Sequence, residues 1–116
     1  MQANATATQP QEAIRQAVEC LRRHVRVQQV VLFGSHARGE ANSWSDVDLA
    51  VISSGFSRMT HREMMDVLVE ATLAADSTVE IRPYTVKDLK MARPTNFLGH
   101  ILAEGKIVFK GGKYLL

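Results

Sequence analysis

The chain has 116 residues, of which 46% are hydrophobic and 22% charged, and its formal net charge is +2. This size and composition predict one soluble globular domain with no room for a second. The weak positive charge gives no reason to expect direct nucleic-acid binding, and no apolar stretch approaches the roughly 20 residues of a membrane span. One cysteine excludes a disulfide framework, and the N-terminus lacks a signal-peptide pattern, so a cytoplasmic protein is expected.

Helical and strand-like apolar patterns alternate along the chain and predict an α/β (α+β) fold, a small mixed β-sheet with helices packed on it. The small, polar segment 1–9 is predicted to be a disordered tail, residues 10–110 the folded domain, and residues 111–116 a C-terminal tail. In chain order, the predicted elements are a helix over 11–25, a strand over 29–33, a helical turn over 35–38, a strand over 47–52, a helix over 61–75, a strand over 78–84, helices over 85–91 and 95–104, and a short edge strand over 107–109.

The helix predicted over 61–75 carries an apolar stripe at helical spacing, and its methionines are expected to face the core or a partner. Thr60, directly before it, is the expected N-cap. The stripe consists of Met64, Met65, Leu68, Val69, Thr72 and Leu73.

Cysteine and histidine spacings indicate no metal site. Cys20 lies in the first helical pattern, where a small buried hydrophobe is expected rather than a reactive thiol. The four histidines, at positions 24, 36, 61 and 100, are interpreted as surface residues or caps.

Two acidic residues, Asp46 and Asp48, stand at the start of the apolar strand predicted over 47–52. In a strand, side chains two positions apart lie on one face, so the two carboxylates would be close together. Such a pair is unfavourable unless a cation lies between them. Mg²⁺ prefers oxygen ligands of this kind together with phosphate oxygens, so the pair predicts half of a metal site.

The segment between the first two strands begins with Gly34 and Ser35, a combination that suits a turn binding phosphate. Arg38 lies one helical turn further on and is expected either to add charge at the phosphates or to pair with an acid. The glycine–serine turn and the two aspartates lie at the same edge of the sheet only if the first two strands are antiparallel. We therefore predict the antiparallel arrangement.

Glu80 is the only acid in the third predicted strand. A helix over 61–75 suits a parallel crossover, which brings the start of this strand to the same sheet edge as Asp46. Glu80 is then either a third metal-binding carboxylate or the base for an attacking hydroxyl. The alternatives are a solvated residue or a salt-bridge partner of Arg82. Trp44 is interpreted as a loop anchor or as a residue that contacts a base or a partner.

Two segments of the chain, LFGSHARG at 32–39 and SDVDLAV at 45–51, resemble the GSxARG…SDxDL signature of the nucleotidyltransferase superfamily related to DNA polymerase β. The resemblance is closest to the small, stand-alone minimal nucleotidyltransferases of bacteria and archaea. It implies the nucleotidyltransferase fold. Its specific part covers 31–52, and beyond that the similarity is one of general pattern.

The resemblance implies roles for individual residues. Gly34 and Ser35 would hold nucleotide phosphates, with Arg38 assisting them or bracing the loop, and Asp46 and Asp48 would bind Mg²⁺. Glu80 stands where the family commonly has an aspartate on the next strand, and would complete the carboxylates for two ions. A further departure is His36, at a position where many relatives carry arginine.

The implied activity is the transfer of a nucleoside monophosphate, usually AMP from ATP, to a hydroxyl acceptor. Minimal members of the superfamily are often paired with a helical HEPN-type protein as antitoxin and toxin, and a tyrosine of that partner is the implied acceptor. The alternative is a catalytically weak or inactive nucleotide-binding module that acts by complex formation. A homo-oligomer is left open.

Overall fold

The computed structural model describes residues 10–41, 46–75 and 78–116. The expectations for the tail at 1–9 and for Trp44 lie outside these ranges. The elements in chain order are α1 (Pro10–Arg22), β1 (Val27–Phe33), α2 (Ser35–Arg38), β2 (Val47–Ser53), a 3-10 helix (Ser54–Arg58), α3 (His61–Ala74), β3 (Val79–Tyr84), α4 (Val86–Lys90), α5 (Phe97–Glu104), β4 (Lys106–Lys110) and β5 (Lys113–Tyr114).

The strands form one mixed sheet in the order β3-β2-β1-β4-β5, which confirms the predicted fold class. β1 pairs antiparallel with both β2 and β4, and β2 pairs parallel with β3. Both predicted directions, antiparallel for β1 with β2 and parallel for β2 with β3, are therefore confirmed. The parallel pair requires a crossover, and α3 supplies it.

Strand β2 is covered on both faces, because its apolar residues alternate between two hydrophobic clusters. One face packs Leu49 and Val51 into the larger cluster with α1 and α3. The other face packs Ala50 and Ile52 into a smaller cluster with Ile101 of α5. All four β2 side chains have a relative exposure of 0%. This buried strand is the fixed element from which the acidic residues at its N-terminal end project.

Helix α3 begins as predicted, but only one side of it is buried. Thr60 Oγ1 accepts a hydrogen bond from the Glu63 amide, and the Thr60 amide donates one to the Glu63 carboxylate, which completes a capping box. The buried residues of the helix are Val67, Leu68 and Ala71. Three members of the predicted stripe are exposed instead: Met65, Val69 and Leu73, at 43%, 53% and 64%. Helix α3 packs mainly against α1, so within residues 10–41, 46–75 and 78–116 no element covers this second side.

The strand predicted over 107–109 is present as β4, but it is not an edge strand. Gly111 and Gly112 have positive φ angles of 59° and 82°, and they turn the chain back so that β5 pairs with β4. The sheet thus extends into residues 111–116. Tyr114 of β5 packs against Phe109 with ring centroids 4.9 Å apart, and its hydroxyl donates a hydrogen bond to Glu19 of α1 at 2.7 Å.

In the described part of the chain, no helix combines the length and apolar character needed to cross a bilayer.

Candidate functional site

The sheet register brings carboxylates from two strands to one edge. Asp48 of β2 lies opposite Glu80 of β3 in the parallel pair and opposite Phe33 of β1 in the antiparallel pair. Laterally paired residues point to the same face of a sheet, so the Asp48 and Glu80 side chains project together. Asp46 lies just before β2, where the Val47 amide donates a hydrogen bond to the Thr78 carbonyl at 2.8 Å. All three predicted carboxylates therefore lie at one end of the sheet.

Asp48 is the carboxylate most affected by this crowding. Partial burial raises the pKa of its carboxyl, and the neighbouring charges of Glu80 and Asp46 raise it further. The imidazole of His36 and the guanidinium of Arg82 oppose that rise. The site is thus short of positive charge around its most enclosed acid.

Gly34 is required at the turn for two independent reasons. Its backbone angles of φ 77° and ψ −154° lie in a region that essentially only glycine adopts. A Cβ atom at this position would also collide with the Asp48 carboxylate. The backbone of the turn therefore passes directly against Asp48, which brings the two halves of the signature into contact.

The turn continues into the four-residue helix α2. The Gly34 carbonyl accepts hydrogen bonds from the amides of Ala37 and Arg38 at 3.1 and 3.2 Å. Gly39, with φ 73° and ψ 20°, ends the helix in the left-handed conformation. The predicted helical turn at 35–38 is therefore present, and Ser35 is its first residue, directly after the glycine that touches Asp48.

Arg38 pairs with an acid, one of its two expected arrangements. Its Nε donates to Glu40 Oε1 at 2.8 Å, and both side chains are exposed. This hydrogen bond is the first cause of a raised pKa for the Arg38 guanidinium, with Asp48 only a weak contributor. Arg38 thus braces the end of the α2 turn in this structure.

Arg82 does not form the suggested ion pair with Glu80 within the described part of the chain. Its guanidinium lies over the ring of Phe97 in α5, 4.6 Å from the centroid. Phe97 in turn makes an edge-on contact with Phe33, with ring centroids 6.1 Å apart. Sequence reasoning missed this Arg82–Phe97 contact, because the two residues are brought together only by the packing of α5 on the sheet.

Two clefts open beside the carboxylates. One, of about 370 Å³, lies between the carboxylate edge and the exposed side of α3; it is lined by Asp46, Glu80, Val79, Ile81, Met65, Leu68, Val69, Thr72 and Leu73. The other, of about 220 Å³, lies next to Gly34 on the α5 side; it is lined by Phe33, Arg38, Phe97, His100, Ile101 and Glu104. One cleft therefore borders the Gly34 turn, and the other, largely apolar, runs along α3 to Asp46 and Glu80.

A mixed sheet with a glycine–serine turn against a D-x-D pair is the arrangement of a nucleotidyltransferase domain. The family model described as "Polymerase beta, Nucleotidyltransferase" matches residues 15–113 of this chain. The chain belongs to this family.

Solved structures support the same fold. A protein from Sulfolobus solfataricus assigned as a nucleotidyltransferase has 17% sequence identity to this chain and a TM-score of 0.65, covering 91% of this chain and 85% of its own. A toxin–antitoxin structure with AMP-PNP has 19% identity and a TM-score of 0.56, covering 83% and 72% respectively. No curated protein matches the chain significantly.

A third similar structure is a mutant of the toxin–antitoxin MntA-HpeT, with 15% identity and a TM-score of 0.52, covering 83% of this chain and 71% of its own. Its two substitutions replace aspartates that are separated by one residue with glutamate. At sequence identities this low, the similarity of these structures to the chain shows a shared fold and nothing further.

The contact of Gly34 with Asp48 can be tested by comparing an alanine substitution at Gly34 with one at Gly39. Gly34→Ala should lower the free energy of unfolding by about 3 kcal/mol or more, because it combines a glycine-only backbone with a clash. Gly39→Ala has a similar positive φ but open space around its Cβ, and should cost only about 1 kcal/mol. Urea unfolding of both variants measures the difference. In an Asp48→Ala background the cost of Gly34→Ala should fall by at least about 1 kcal/mol; an unchanged cost would contradict the contact.

The raised pKa of Asp48 predicts a pH-dependent stability. Because the folded state binds this proton more tightly than the unfolded state, stability is fully present below the unfolded pKa and is lost as the pH rises through the folded pKa, from about pH 4 upward. Asp48→Asn should remove this loss and, with EDTA present, stabilise the protein at neutral pH. We expect a gain on the order of 0.5 kcal/mol, small because the carboxylate is partly solvated. Urea unfolding at several pH values measures it. Asp66→Asn, an exposed carboxylate of α3, is the control; equal effects of the two substitutions would contradict the prediction.

Proposed function

We propose that the protein is a Mg²⁺-dependent nucleotidyltransferase that transfers AMP from ATP to a hydroxyl acceptor. The observation that carries the proposal is the convergence of Asp46, Asp48 and Glu80 at one sheet edge, against a turn that only glycine can form at Gly34. A structural role alone would not favour two further carboxylates beside a partly buried one.

The donor atoms suit the proposed metal. The three acids supply hard oxygen ligands of the type that Mg²⁺ uses together with phosphate oxygens. Partial burial, followed by the neighbouring charges of Glu80 and Asp46, raises the pKa of the Asp48 carboxyl, and a bound cation would favour the charged form of that carboxyl. Asp46, Asp48 and Glu80 would hold two Mg²⁺ ions, which would neutralise the negative charge of the triphosphate.

The residues of the chain have separate proposed roles in the transfer. Gly34 leaves room for the triphosphate to approach the backbone, and the Ser35 hydroxyl and amide donate to phosphate oxygens. The acceptor oxygen attacks the α-phosphorus, the bond from that phosphorus to the bridging oxygen breaks, and pyrophosphate leaves. Glu80, on the exposed edge strand, takes the proton of the acceptor hydroxyl. Arg38 steadies the turn through Glu40.

We propose a helical HEPN-type toxin as the partner and one of its tyrosines as the acceptor, so that the protein acts as an antitoxin. The support is the exposed apolar side of α3, formed by Met65, Val69 and Leu73, which is continuous with Asp46 and Glu80 in one cleft. An apolar face of this kind suits a protein acceptor better than a small polar one. Two of the similar structures are toxin–antitoxin proteins, one of them with AMP-PNP.

A second candidate function is a binding module that neutralises its partner without turnover. The observation that favours it is the combination of a longer glutamate at position 80 with an Arg38 whose charge is already paired by Glu40. The two functions differ in whether an AMP group appears on the partner.

Transfer of AMP is tested by incubating the protein and its co-purifying HEPN-type partner with Mg²⁺ and labelled ATP, followed by intact mass measurement. We expect the partner to gain the mass of one AMP. Asp46→Asn and Asp48→Asn should each lower the rate at least about 100-fold, because each removes charge that stabilises the reacting phosphate, whereas Asp66→Asn should not.

Glu80 is tested in the same assay with two substitutions. Glu80→Gln removes the proposed base and should lower the rate about 100-fold, while Glu80→Asp keeps a carboxylate and should retain more activity. If the partner gains no mass, and Asp46→Asn with Asp48→Asn neutralises it as well as the wild type does, the binding-module function replaces the enzyme.

The apolar side of α3 is tested by binding. Val69→Ser with Leu73→Ser should weaken the complex with the HEPN-type partner by at least about 10-fold, because both side chains would be buried on binding. Met91→Ser is the matched control, since Met91 is equally exposed at 53% but follows α4. Calorimetric titration of each variant with the partner measures the effect. If Met91→Ser weakens the complex as much as Val69→Ser with Leu73→Ser does, the partner does not bind at the apolar side of α3.

A further inference from the structure

A second cluster of potential ligands lies between α1 and α3. Cys20 of α1, His24 just after that helix and Glu70 of α3 place one ligand atom each within 4.8 Å of one another. Cys20 Sγ donates to Glu70 Oε2 at 3.3 Å, and His24 Nε2 lies 3.0 Å from the same oxygen. The residues of the nucleotidyltransferase site do not take part in this cluster.

The separations suit one small tetrahedral ion. With metal–sulfur and metal–nitrogen bonds of about 2.3 and 2.1 Å, neighbouring ligand atoms of a tetrahedral zinc site are about 3.4–3.6 Å apart. The two separations to Glu70 are slightly shorter than this, and the third, from Cys20 Sγ to His24 Nε2, is within 4.8 Å. An outward movement of Glu70 and a small rotation of the His24 ring would therefore admit the ion. Glu70 is exposed and can move, whereas the Cys20 side chain is held in the core at 2% relative exposure.

The three ligand types together select the class of metal. Thiolate, imidazole and carboxylate are the ligand set of Zn²⁺ and similar borderline ions, and not of Mg²⁺. We propose that Cys20, His24 and Glu70 form a zinc site that joins the end of α1 to α3, with water in the fourth position. On binding, the Cys20 thiol releases its proton to solvent, and its sulfur and the neutral His24 imidazole become ligands.

Among the described residues, Arg23 is the one permanently charged cation that faces this cluster. Its Nη2 lies 3.7 Å from Glu70 Oε2 at the edge of the ion-pair range, and its side chain is 69% exposed. Arg23 can therefore turn into solvent when a metal ion neutralises Glu70. If the cluster is only a hydrogen-bonded ion pair, Arg23 keeps that place and no metal binds.

The site is tested on the full chain, freed of metal with a chelator and titrated with Co²⁺ as a spectroscopic substitute for Zn²⁺. We expect one thiolate-bound ion per chain, detected by a thiolate-to-cobalt charge-transfer band that Zn²⁺ abolishes. Because the chain has one cysteine, such a band can arise only from Cys20, and Cys20→Ser should abolish it. His24→Gln and Glu70→Gln, at exposed ligands, should each weaken binding at least about 100-fold.

Two controls separate this site from other metal binding. His61→Gln, at an exposed histidine of α3, should leave the band and the affinity unchanged. Asp46→Asn with Asp48→Asn should also leave the band unchanged, so the zinc site is tested independently of the proposed transferase activity. Zn²⁺ should raise the midpoint of thermal unfolding of the wild type by at least about 4 °C, but not that of His24→Gln. Absence of the band, or a band that survives both His24→Gln and Glu70→Gln, would overturn the proposal.

Discussion

The burial of β2 on both faces is the constraint on which the candidate site depends, because it fixes the strand from which Asp46 and Asp48 project beside Glu80. These carboxylates are kept together by the ladder that holds β2 between an antiparallel and a parallel neighbour. Because the interior of β2 is fully buried on both faces, the strand cannot slide to relieve the charge at its end without exposing its core residues. Burial of apolar surface therefore maintains a local electrostatic strain, which is the usual relation between a stable scaffold and a reactive site.

The sequence was sufficient for those parts of the structure that depend on near neighbours. Apolar runs located β1, β2 and β3, and the crossover rule then placed Glu80 at the correct edge. The 35–38 turn was predictable because glycine permits backbone angles that other residues rarely adopt, and serine is common where a helical turn begins. The sequence alone placed the acids and the turn at one edge of the sheet. The contact of Gly34 with Asp48 is visible only in the structure.

Features that depend on distant packing could not be predicted in the same way. The apolar stripe of α3 divides into a buried and an exposed side, because helical spacing does not say how much of a helix its neighbours cover. Strand β4 is internal because a glycine pair returns the chain as β5. The contact of His24 with Glu70 joins residues 46 positions apart, so no local spacing reveals it. Arg82 and Phe97 meet only through the packing of α5.

Gly34 shows that this site depends on empty space as well as on reactive groups. Every functional atom of the two motifs can be present in a relative while a single methyl group at this position separates the turn from the acid. Under the proposed function, a list of matching charged residues would then classify an impaired protein as intact. When members of this family are sorted into active and inactive forms, the residue that has no side chain therefore carries as much information as the carboxylates beside it.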